Sequence, residues 1–437
     1  MASDPRGRLT DLRRKGTPAM KVPSTPDICA GLGLVDLESA CASAARHASP
    51  IAAREDVLVG RASGRTLADP LLAGVALPAF DQAAMDGYAV SLAGGIIPPG
   101  TRLPVMGRLI AGERAPSLPQ DHAVRIFTGA PLPLGADAVL MQEHARRDGQ
   151  EVIFDRIVRS GDNVRRRGED IREGDHLLPP GIRLDARHVA LLASQGRSTV
   201  TVLRRVRVGV ISTGNELRQP GGPLGEATIY DCNRPMIMAF AEQSGLDVVD
   251  GGWIRDDPAA IGAALTALAN RCDLVVTTGG ASVGEEDHAA TAAGIAGASF
   301  ETLRIALKPG KPAVVGKIGP CAYLGLPGNP VSALVSWLFL GGAVVAALEG
   351  RPFRRRMGCP IRVASRFERR PGRTEFAPAR LVLDVHGPEA DILGKGGSAR
   401  LRPLVEADGL VEIHPLHAPV ERGSIVAYHP FRDGFSI

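Results

Sequence analysis

The amino-acid sequence predicts a multidomain α/β plus all-β protein, with a three-layer α/β domain around a parallel sheet, small β domains and a C-terminal β barrel. Three observations lead to this fold class. Strand-like and helix-like segments alternate over residues 206–348, as they do in parallel α/β sheets. Between residues 77 and 156, Pro and Gly recur among short β-like runs. After residue 350, helical periodicity gives way to alternation of apolar and polar residues.

Length and composition indicate the number of domains and argue against nucleic-acid and membrane partners. The chain has 437 residues, which is enough for roughly three or four domains. Aromatic content is 4%, net charge is +4 and no recognition motif is visible, so we expect no nucleic-acid partner. The longest apolar run, Ala333–Leu348, is shorter than the ~20 residues of a membrane span, so we expect no membrane partner. Six cysteines without a CxxC pair, and a polar Met1–Lys21 without a secretory signal, predict a cytoplasmic protein.

Changes in composition and in apolar periodicity along the chain predict its domain organisation. The first helix should begin after the N-cap Asp36 and end near Ala48, before Pro50. We expect a second helix, at Ala186–Gln195, to pack beside it. The predicted segments are a disordered tail (1–32), a discontinuous N-terminal domain (33–76 and 157–205), a small β domain (77–156), an α/β domain (206–350) and a C-terminal β-barrel domain (351–437).

Within the α/β domain, each element has its own signal. Short apolar runs predict strands, and apolar periodicity with start signals such as the N-cap Asp257 followed by Pro258 predicts helices. The predicted strands are Val206–Ser212, Leu246–Gly252, Leu274–Thr278, Pro312–Val315 and Ala322–Leu324. The predicted helices are Pro235–Gly245, Pro258–Ala269, Ala289–Ile295 and Pro330–Leu348.

The most informative stretch reads DLVVTTGGASVGEED and covers residues 273–287. A buried strand that leads into a glycine loop exposes backbone N–H groups toward an anion. The carboxylates Glu285, Glu286 and Asp287 then suggest a cation that neutralises a bound phosphate or oxyanion. A strand-to-helix turn in which Asp287 caps the next helix explains the same residues equally well.

The position of this loop in the fold favours the functional alternative. Ligands in open α/β sheets bind beyond the carboxyl ends of the strands. Three polar or Gly-rich loops follow predicted strands there: Thr213–Glu216, Thr278–Asp287 and Gly325–Pro330. Because these loops converge at one sheet edge, the sequence predicts a site.

Two further motifs suit an anion. KPGKP places the ammonium groups of Lys308 and Lys311 on a stiff loop that precedes a predicted core strand, although solvated surface lysines are the alternative. GLPGNPVS offers Asn329 and Ser332 as donors at a helix start, where simple capping is also compatible.

Nine motifs occur in the order in which they occur in molybdopterin molybdenumtransferases. They are AMDGYAV, FTGAPLP, NVRRRGEDI, STGNEL, IYDCNR, IRDD, TTGGASVGEED, KPGKP and GLPGNPVS. From about residue 33 to the C-terminus the sequence resembles this molybdenum-insertase family, which includes the E domain of gephyrin.

The resemblance implies the last step of molybdenum cofactor synthesis. Adenylylated molybdopterin is cleaved, molybdate is inserted into the dithiolene and AMP leaves. It also implies Mg²⁺ dependence and a homodimer whose active site lies between the α/β domain of one subunit and the β domain of the other. The molybdopterin adenylyltransferase and cofactor-acceptor enzymes are further candidate partners.

The resemblance also implies roles for individual residues, with Asp86 and Thr128 contributed by the partner subunit. The catalytic candidates are Asp86, Thr128, Glu216, Asp256 and Asp287; Glu216, Asp256 and Asp287 are also the candidate metal ligands, and Asp231 is a further candidate for ligand handling. The substrate-binding candidates are Gly279, Gly280, Ser282, Gly284, Lys308, Lys311, Gly328, Asn329, Ser332, Arg373 and Ser398.

One departure from the family pattern concerns fine positioning. Gln82 and Ala83 stand where many members have Asn and Ser, which removes a hydroxyl near Asp86. Capping or surface pairing remains an alternative role for single carboxylates, above all Asp256. Two rival functions remain: an adenylyltransferase acting on molybdopterin, and a scaffold that keeps the fold without turnover.

Overall fold

The structure, a computed structural model, describes residues 33–279, 292, 294–355, 357–394 and 397–432. The predicted disordered tail (1–32) and most of the predicted helix Ala289–Ile295 lie outside the described residues.

The N-terminal part of the chain forms two β units. In the first unit, the strand Arg54–Leu58 pairs antiparallel with Thr199–Leu203, so distant segments of the chain meet. The second unit is a six-stranded sheet in the order Ala138–Met141, Gly87–Val90, Ala123–Ile126, Arg102–Leu109, Glu151–Phe154 and Ala145–Asp148. Shorter elements complete this part: Val59–Arg61, Leu71–Leu72, Gln82–Ala83, Gln142–His144, Val164–Arg165, His176–Leu178 and the helix Ala186–Ser194.

The first helix, Leu37–Arg46, belongs to the core of the α/β domain. Asp36 caps it as predicted, because its side chain accepts from the backbone N–H of Ser39. Its apolar face packs against the helix Gly342–Leu348, in one buried cluster with the central strands. Its main helical partner is therefore not the predicted helix at Ala186–Gln195, since the apolar stripe of a helix does not specify which partner it covers.

The α/β domain has a six-stranded mixed sheet. Four strands are parallel, in the spatial order Asp247–Ile254, Arg207–Thr213, Leu274–Thr278 and Cys321–Leu326. An antiparallel hairpin-like pair, Pro312–Ile318 and Ala298–Arg304, extends the sheet beyond them. The sequence analysis did not foresee the strand Ala298–Arg304, because its residues are largely exposed and its apolar pattern is weak.

Helices cover both faces of this sheet, which confirms the three-layer architecture. Pro258–Ala269, capped by Asp257 as predicted, packs on one face with a buried cluster around Leu265. Asn233–Gln243 and the long helical segment from Pro330 pack on the other face. That segment consists of Pro330–Ser336, a π-helical turn at Trp337–Gly341, and Gly342–Leu348. Short strands Leu217–Arg218 and Ile229–Tyr230 lie beside the sheet.

The helical segment Pro330–Leu348 is long and apolar enough to cross a membrane by length and composition alone. However, 83% of its most apolar window is buried inside the protein. The segment is therefore accounted for as a core helix of the α/β domain.

The C-terminal part is a closed five-stranded β barrel, as predicted. Closure follows from the pairing of Thr374–Asp384 with both of its neighbours in the barrel. The barrel strands are Cys359–Val363, Thr374–Asp384, Gly387–Ile392, Gly409–Ile413 and Ile425–Pro430, with the short helix Leu401–Glu406 outside them. The short strand Leu307–Lys308 of the α/β domain pairs with Thr374–Glu375, so the barrel is joined directly to the KPGKP loop.

Candidate functional site

A cavity of about 780 Å³ lies between the strand ends of the α/β domain and the C-terminal barrel. The three sheet-edge loops contribute to its lining through Glu216, Gly279 and Gly328, so the described parts of these loops converge as predicted. The predicted site residues that line it are Glu216, Asp256, Gly279, Lys308, Lys311, Gly328, Asn329, Ser332, Arg373 and Ser398. Gly280, Ser282, Gly284 and Asp287 lie outside the described residues.

Two carboxylates, Glu216 and Asp256, form an acidic side of this cavity. Asp256 is fixed by a reciprocal pair of hydrogen bonds with Asn215: the backbone N–H of Asn215 donates to Asp256 Oδ2 over 2.9 Å, and the backbone N–H of Asp256 donates to Asn215 Oδ1 over 3.2 Å. Glu216 folds back over Gly214, where a Cβ atom would lie 2.6 Å from Glu216 Oε2. Within the described residues the Glu216 carboxylate has no hydrogen-bond or ion-pair partner.

Gly279 marks the closest backbone approach in the site. Its φ is +93°, and a Cβ atom there would lie only 2.4 Å from the carbonyl oxygen of Thr213. A larger residue would therefore push apart the two neighbouring strand ends. This contact explains the glycine at the start of the glycine loop independently of any ligand.

Lys308 is held by a buried carboxylate of the barrel. Its Nζ lies 3.0 Å from Glu375 Oε1, and Glu375 is only 3% exposed. The second carboxylate oxygen, Oε2, lies 3.0 Å from Nε of the buried Arg369. Arg369 in turn donates to the carbonyl oxygens of His414 and Arg373. Lys308, Glu375 and Arg369 thus form an ionic triad, buried at Glu375 and Arg369 and partly exposed at Lys308, that fixes the KPGKP loop against the barrel.

The other basic side of the cavity is less constrained. The ammonium group of Lys311 makes no hydrogen bond or ion pair with any described residue, although its backbone carbonyl accepts from Ile305. One Arg373 Nη donates to the carbonyl oxygen of Leu307 over 3.2 Å, which leaves its remaining N–H groups available. The backbone N–H of Val331 donates to the carbonyl oxygen of Ser398, so the barrel loop is pinned beside Ser332 at the helix start. These cations and hydroxyls suit a tetrahedral oxyanion.

Asp86 and Thr128 lie apart from this cavity, on neighbouring loops of the six-stranded N-terminal sheet. The backbone N–H and the hydroxyl of Thr128 both donate to Asp86 Oδ1, over 2.9 and 2.8 Å. These bonds, the backbone bond first, hold the pKa of Asp86 below its ordinary value. Asp86 is partly exposed and remains ionised at neutral pH.

The substitution at Ala83 has a structural explanation. Its side chain is fully buried in an apolar cluster with Ala89, Ala130 and Val139. Its backbone N–H donates to the carbonyl oxygen of Ala130, and its carbonyl accepts from Gly129. Ala83 therefore stabilises the loop that carries Asp86 by packing, without a hydroxyl.

Asp231 has a structural role in the described chain. It is 2% exposed and accepts from the backbone N–H and from Nε of Arg234, which also pairs with Asp250. It does not line the cavity. Its hydrogen bonds to Arg234, in the first turn of the helix Asn233–Gln243, account for its position.

Sequence reasoning missed two charged residues of the cavity lining, Glu375 and Arg400. Glu375 could not be recognised because a charged residue in a barrel strand is usually exposed, whereas this one is buried. Arg400 ends the glycine-rich stretch GKGGSAR, residues 394–400, which could have drawn attention to it.

The fold and the site define a multidomain protein whose α/β sheet and C-terminal barrel together enclose a cavity lined by both cationic and anionic side chains. Comparison with known proteins extends this description. Residues 35–196 match the MoeA N-terminal region (domain I and II), residues 209–346 match a probable molybdopterin binding domain, and residues 360–431 match the MoeA C-terminal region (domain IV).

Individual relatives agree with these matches. The molybdopterin molybdenumtransferase of Haemophilus influenzae is 35% identical over 85% of this chain and 92% of its own length. Molybdopterin molybdenumtransferase 2 of Mycobacterium tuberculosis is 35% identical over 81% and 89%. Two structures of the MoeA protein from Pyrococcus horikoshii cover 92% and 91% of this chain and 100% of their own, with TM-scores of 0.69 and 0.75 at 30% and 26% identity.

The chain therefore belongs to the molybdopterin molybdenumtransferase family. It is a transferase of molybdenum cofactor biosynthesis.

Proposed function

We propose that this chain inserts molybdate into adenylylated molybdopterin, with release of AMP, in the last step of molybdenum cofactor biosynthesis. The observation that carries the proposal is a single cavity lined both by the cations Lys308, Lys311 and Arg373 and by the carboxylates Glu216 and Asp256. Molybdate and a pyrophosphate group are both anions that need ammonium, guanidinium and hydroxyl donors. Cleavage of a phosphoanhydride also needs charge neutralisation, which carboxylate-bound metal supplies.

Mg²⁺ is the proposed cation. Glu216 and Asp256 offer the hard oxygen ligands that Mg²⁺ prefers, and Asp256 Oδ1 accepts no hydrogen bond from a described residue. Among the described residues, no group of three His, Cys, Asp or Glu side chains is placed to hold a metal. The third predicted ligand is Asp287, which would follow the glycine loop. When bound, the cation neutralises charge on the phosphate groups.

The remaining steps belong to side chains of this chain. Lys311 and Arg373 bind the oxyanion, Lys308 is held in place by Glu375, and Ser332 and Ser398 add hydroxyl donors. Asp256 is oriented by Asn215, so the acidic side is preorganised before the substrate arrives.

A homodimer completes the proposed site. Asp86 and Thr128 lie outside the cavity of their own chain, Asp86 partly exposed and Thr128 exposed. In the proposed assembly, Asp86 of the partner subunit reaches the substrate, in agreement with the resemblance-based assignment. The enzyme works in the cytoplasm, and the molybdopterin adenylyltransferase and cofactor-acceptor enzymes are its proposed neighbours in the pathway.

The test is AMP release from adenylylated molybdopterin by the full chain, in buffer with Mg²⁺. We expect release that requires molybdate, and loss of that release in Asp287→Ala. A folded Asp287→Ala protein with wild-type release would remove Asp287 from the catalytic set. ATP-dependent adenylylation of free molybdopterin would instead identify the rival adenylyltransferase function.

A further inference from the structure

Two cationic side chains of the described cavity lining, Lys311 and Arg400, make no hydrogen bond or ion pair with a described residue. Arg400 is an exposed side chain that follows the loop carrying Ser398. Its stem runs along Gly397, where a Cβ atom would lie 3.5 Å from Arg400 Cδ and Nε. The guanidinium therefore remains available to a ligand.

The charge balance of the cavity gives Arg400 particular weight. The described lining contains four basic side chains (Lys308, Lys311, Arg373 and Arg400) and three carboxylates (Glu216, Asp256 and Glu375). One of the basic groups, Lys308, is already paired with Glu375. Without Arg400 the described lining would carry no net positive charge, which is unfavourable for a dianion.

The loop that carries Arg400 is fixed to both domains. The carbonyl oxygen of Ser398 accepts from Val331 at the start of the buried helix Pro330–Ser336. Gly394 packs close to Pro403, since a Cβ atom at Gly394 would lie 3.3 Å from Pro403 Cγ. Both Gly394 and Pro403 line the cavity. A guanidinium on such an anchored loop is partly preorganised, so less entropy is lost when it binds.

We propose that Arg400 is a further substrate-binding residue, whose planar guanidinium grips a tetrahedral oxyanion at the barrel side of the cavity. The oxyanion is either free molybdate or a phosphate group of the adenylylated substrate, because each presents two oxygens that can accept both hydrogen bonds of a guanidinium. The inference deepens the proposed function and rests on it for the identity of these ligands.

The variants are Arg400→Gln, which removes the charge, and Arg400→Lys, which keeps the charge but loses the fork. Arg402→Gln is the matched control, because Arg402 lies two residues on, is 90% exposed, pairs with Glu406 and does not line the cavity. One arm titrates each full-length protein with molybdate by calorimetry, without pterin. The other arm measures AMP release as a function of adenylylated molybdopterin at saturating molybdate.

Arg400→Gln should weaken either molybdate affinity or the apparent affinity for adenylylated molybdopterin about tenfold, as expected for the loss of a charge-assisted contact. Arg400→Lys should have a value between those of Arg400→Gln and the wild type. The arm that changes identifies the oxyanion. Arg402→Gln should stay within about twofold of wild type in both arms. Arg400→Gln values within twofold of wild type in both arms, or an equal loss in Arg402→Gln, would overturn the inference.

The outcomes separate this inference from the proposed function. Molybdate binding that depends on Arg400 but is accompanied by no AMP release in wild type contradicts the proposed function and supports the arginine contact. Molybdate-dependent release that is equal in wild type and Arg400→Gln at every substrate concentration, together with equal molybdate titrations, supports the function and rejects the contact. Absence of molybdate binding and of release in the wild type counts against both.

Discussion

At the scale of single residues, helix-capping side chains could be recognised from the sequence, but the ion-pair partners of charged side chains could not. The caps Asp36 and Asp257 follow from residue type and position alone, because a short acidic side chain before a helix reaches its first free N–H groups. Asp231 is a candidate for ligand handling by family resemblance, and in the folded chain its carboxylate is paired with Arg234. Only the folded chain shows which partner a carboxylate meets.

The paired loops of Asp86 and Thr128 give a prediction about pKa. Thr128→Val removes one of the two hydrogen bonds to Asp86 Oδ1 and should raise the pKa of Asp86 part of the way toward its ordinary value. The lowered pKa stabilises the folded state above the unfolded pKa, and this contribution is lost as pH falls through the folded value. Carboxyl ¹³C NMR of Asp86 against pH measures the shift.

Thr128→Ser is the control for this titration, because it keeps the hydroxyl. Its Asp86 midpoint should match that of the wild type. Equal midpoints in Thr128→Val and wild type would show that the hydroxyl does not stabilise the carboxylate.

The second residue-scale prediction concerns Lys311, which is free of ion pairs in the described chain. Lys311→Met should weaken molybdate binding about tenfold, because the cavity loses a point charge that no neighbour offsets. Lys317→Met serves as the control, since Lys317 is exposed on the same sheet and does not line the cavity. Indistinguishable calorimetric titrations of the two variants would count against the role of Lys311.

At the scale of elements, the sequence located most of the α/β domain because its signals are local. Pro258–Ala269 and Leu274–Thr278 have the predicted bounds, since caps and buried apolar runs mark both. The strand Ala298–Arg304 and the partner of the helix Leu37–Arg46 were not found, because both depend on which surfaces meet in the fold. The strand-end rule anticipated the loops that contribute Glu216, Gly279 and Gly328 to the lining, because it acts on topology; Arg373 and Ser398 were assigned from the family resemblance.

The ionic triad of Lys308, Glu375 and Arg369 gives a prediction about stability at the scale of elements. Glu375→Ala should lower the free energy of unfolding by about 3 kcal/mol, because Arg369 is left buried without its counter-charge. Glu368→Ala removes an exposed pair with Arg366 in the same domain and should cost less than about 1 kcal/mol. Thermal and denaturant unfolding of both variants provide the measurement, and equal losses would contradict a special role for the triad.

Gly279 gives a second prediction at this scale. Gly279→Ala should destabilise the fold by about 3 kcal/mol, since its Cβ would meet the Thr213 carbonyl in addition to the backbone strain of a positive φ. Gly252→Ala also has a positive φ but has no atom within 4 Å of its Cβ, so it should cost only about 1 kcal/mol. A Gly279→Ala protein as stable as Gly252→Ala would show that the strand ends tolerate the contact.

At the scale of the whole molecule, one chain joins a cavity built from two domains to a distant pair, Asp86 and Thr128. The proposed homodimer brings the two together. Distance within one chain cannot be read from sequence, so the division of the site between subunits was inferred from the family resemblance alone.

Mixed dimers test this division. Asp86→Ala and Lys311→Met should each be strongly impaired alone. Dimers formed after co-expression should recover up to about a quarter of wild-type activity, because half of the dimers are mixed and each mixed dimer has one intact site. Folded, mixed dimers without recovery would place Asp86 and Lys311 in the same subunit's site or remove one of them from catalysis.

The central claim is that the cavity between sheet and barrel carries out molybdate-dependent cleavage of adenylylated molybdopterin. The most direct measurement is AMP release by the purified protein with Mg²⁺, in the presence and absence of molybdate. We predict release only when molybdate is present, together with formation of active cofactor. No release from a folded dimer, with or without molybdate, would contradict the claim and favour a scaffold that retains the fold without turnover.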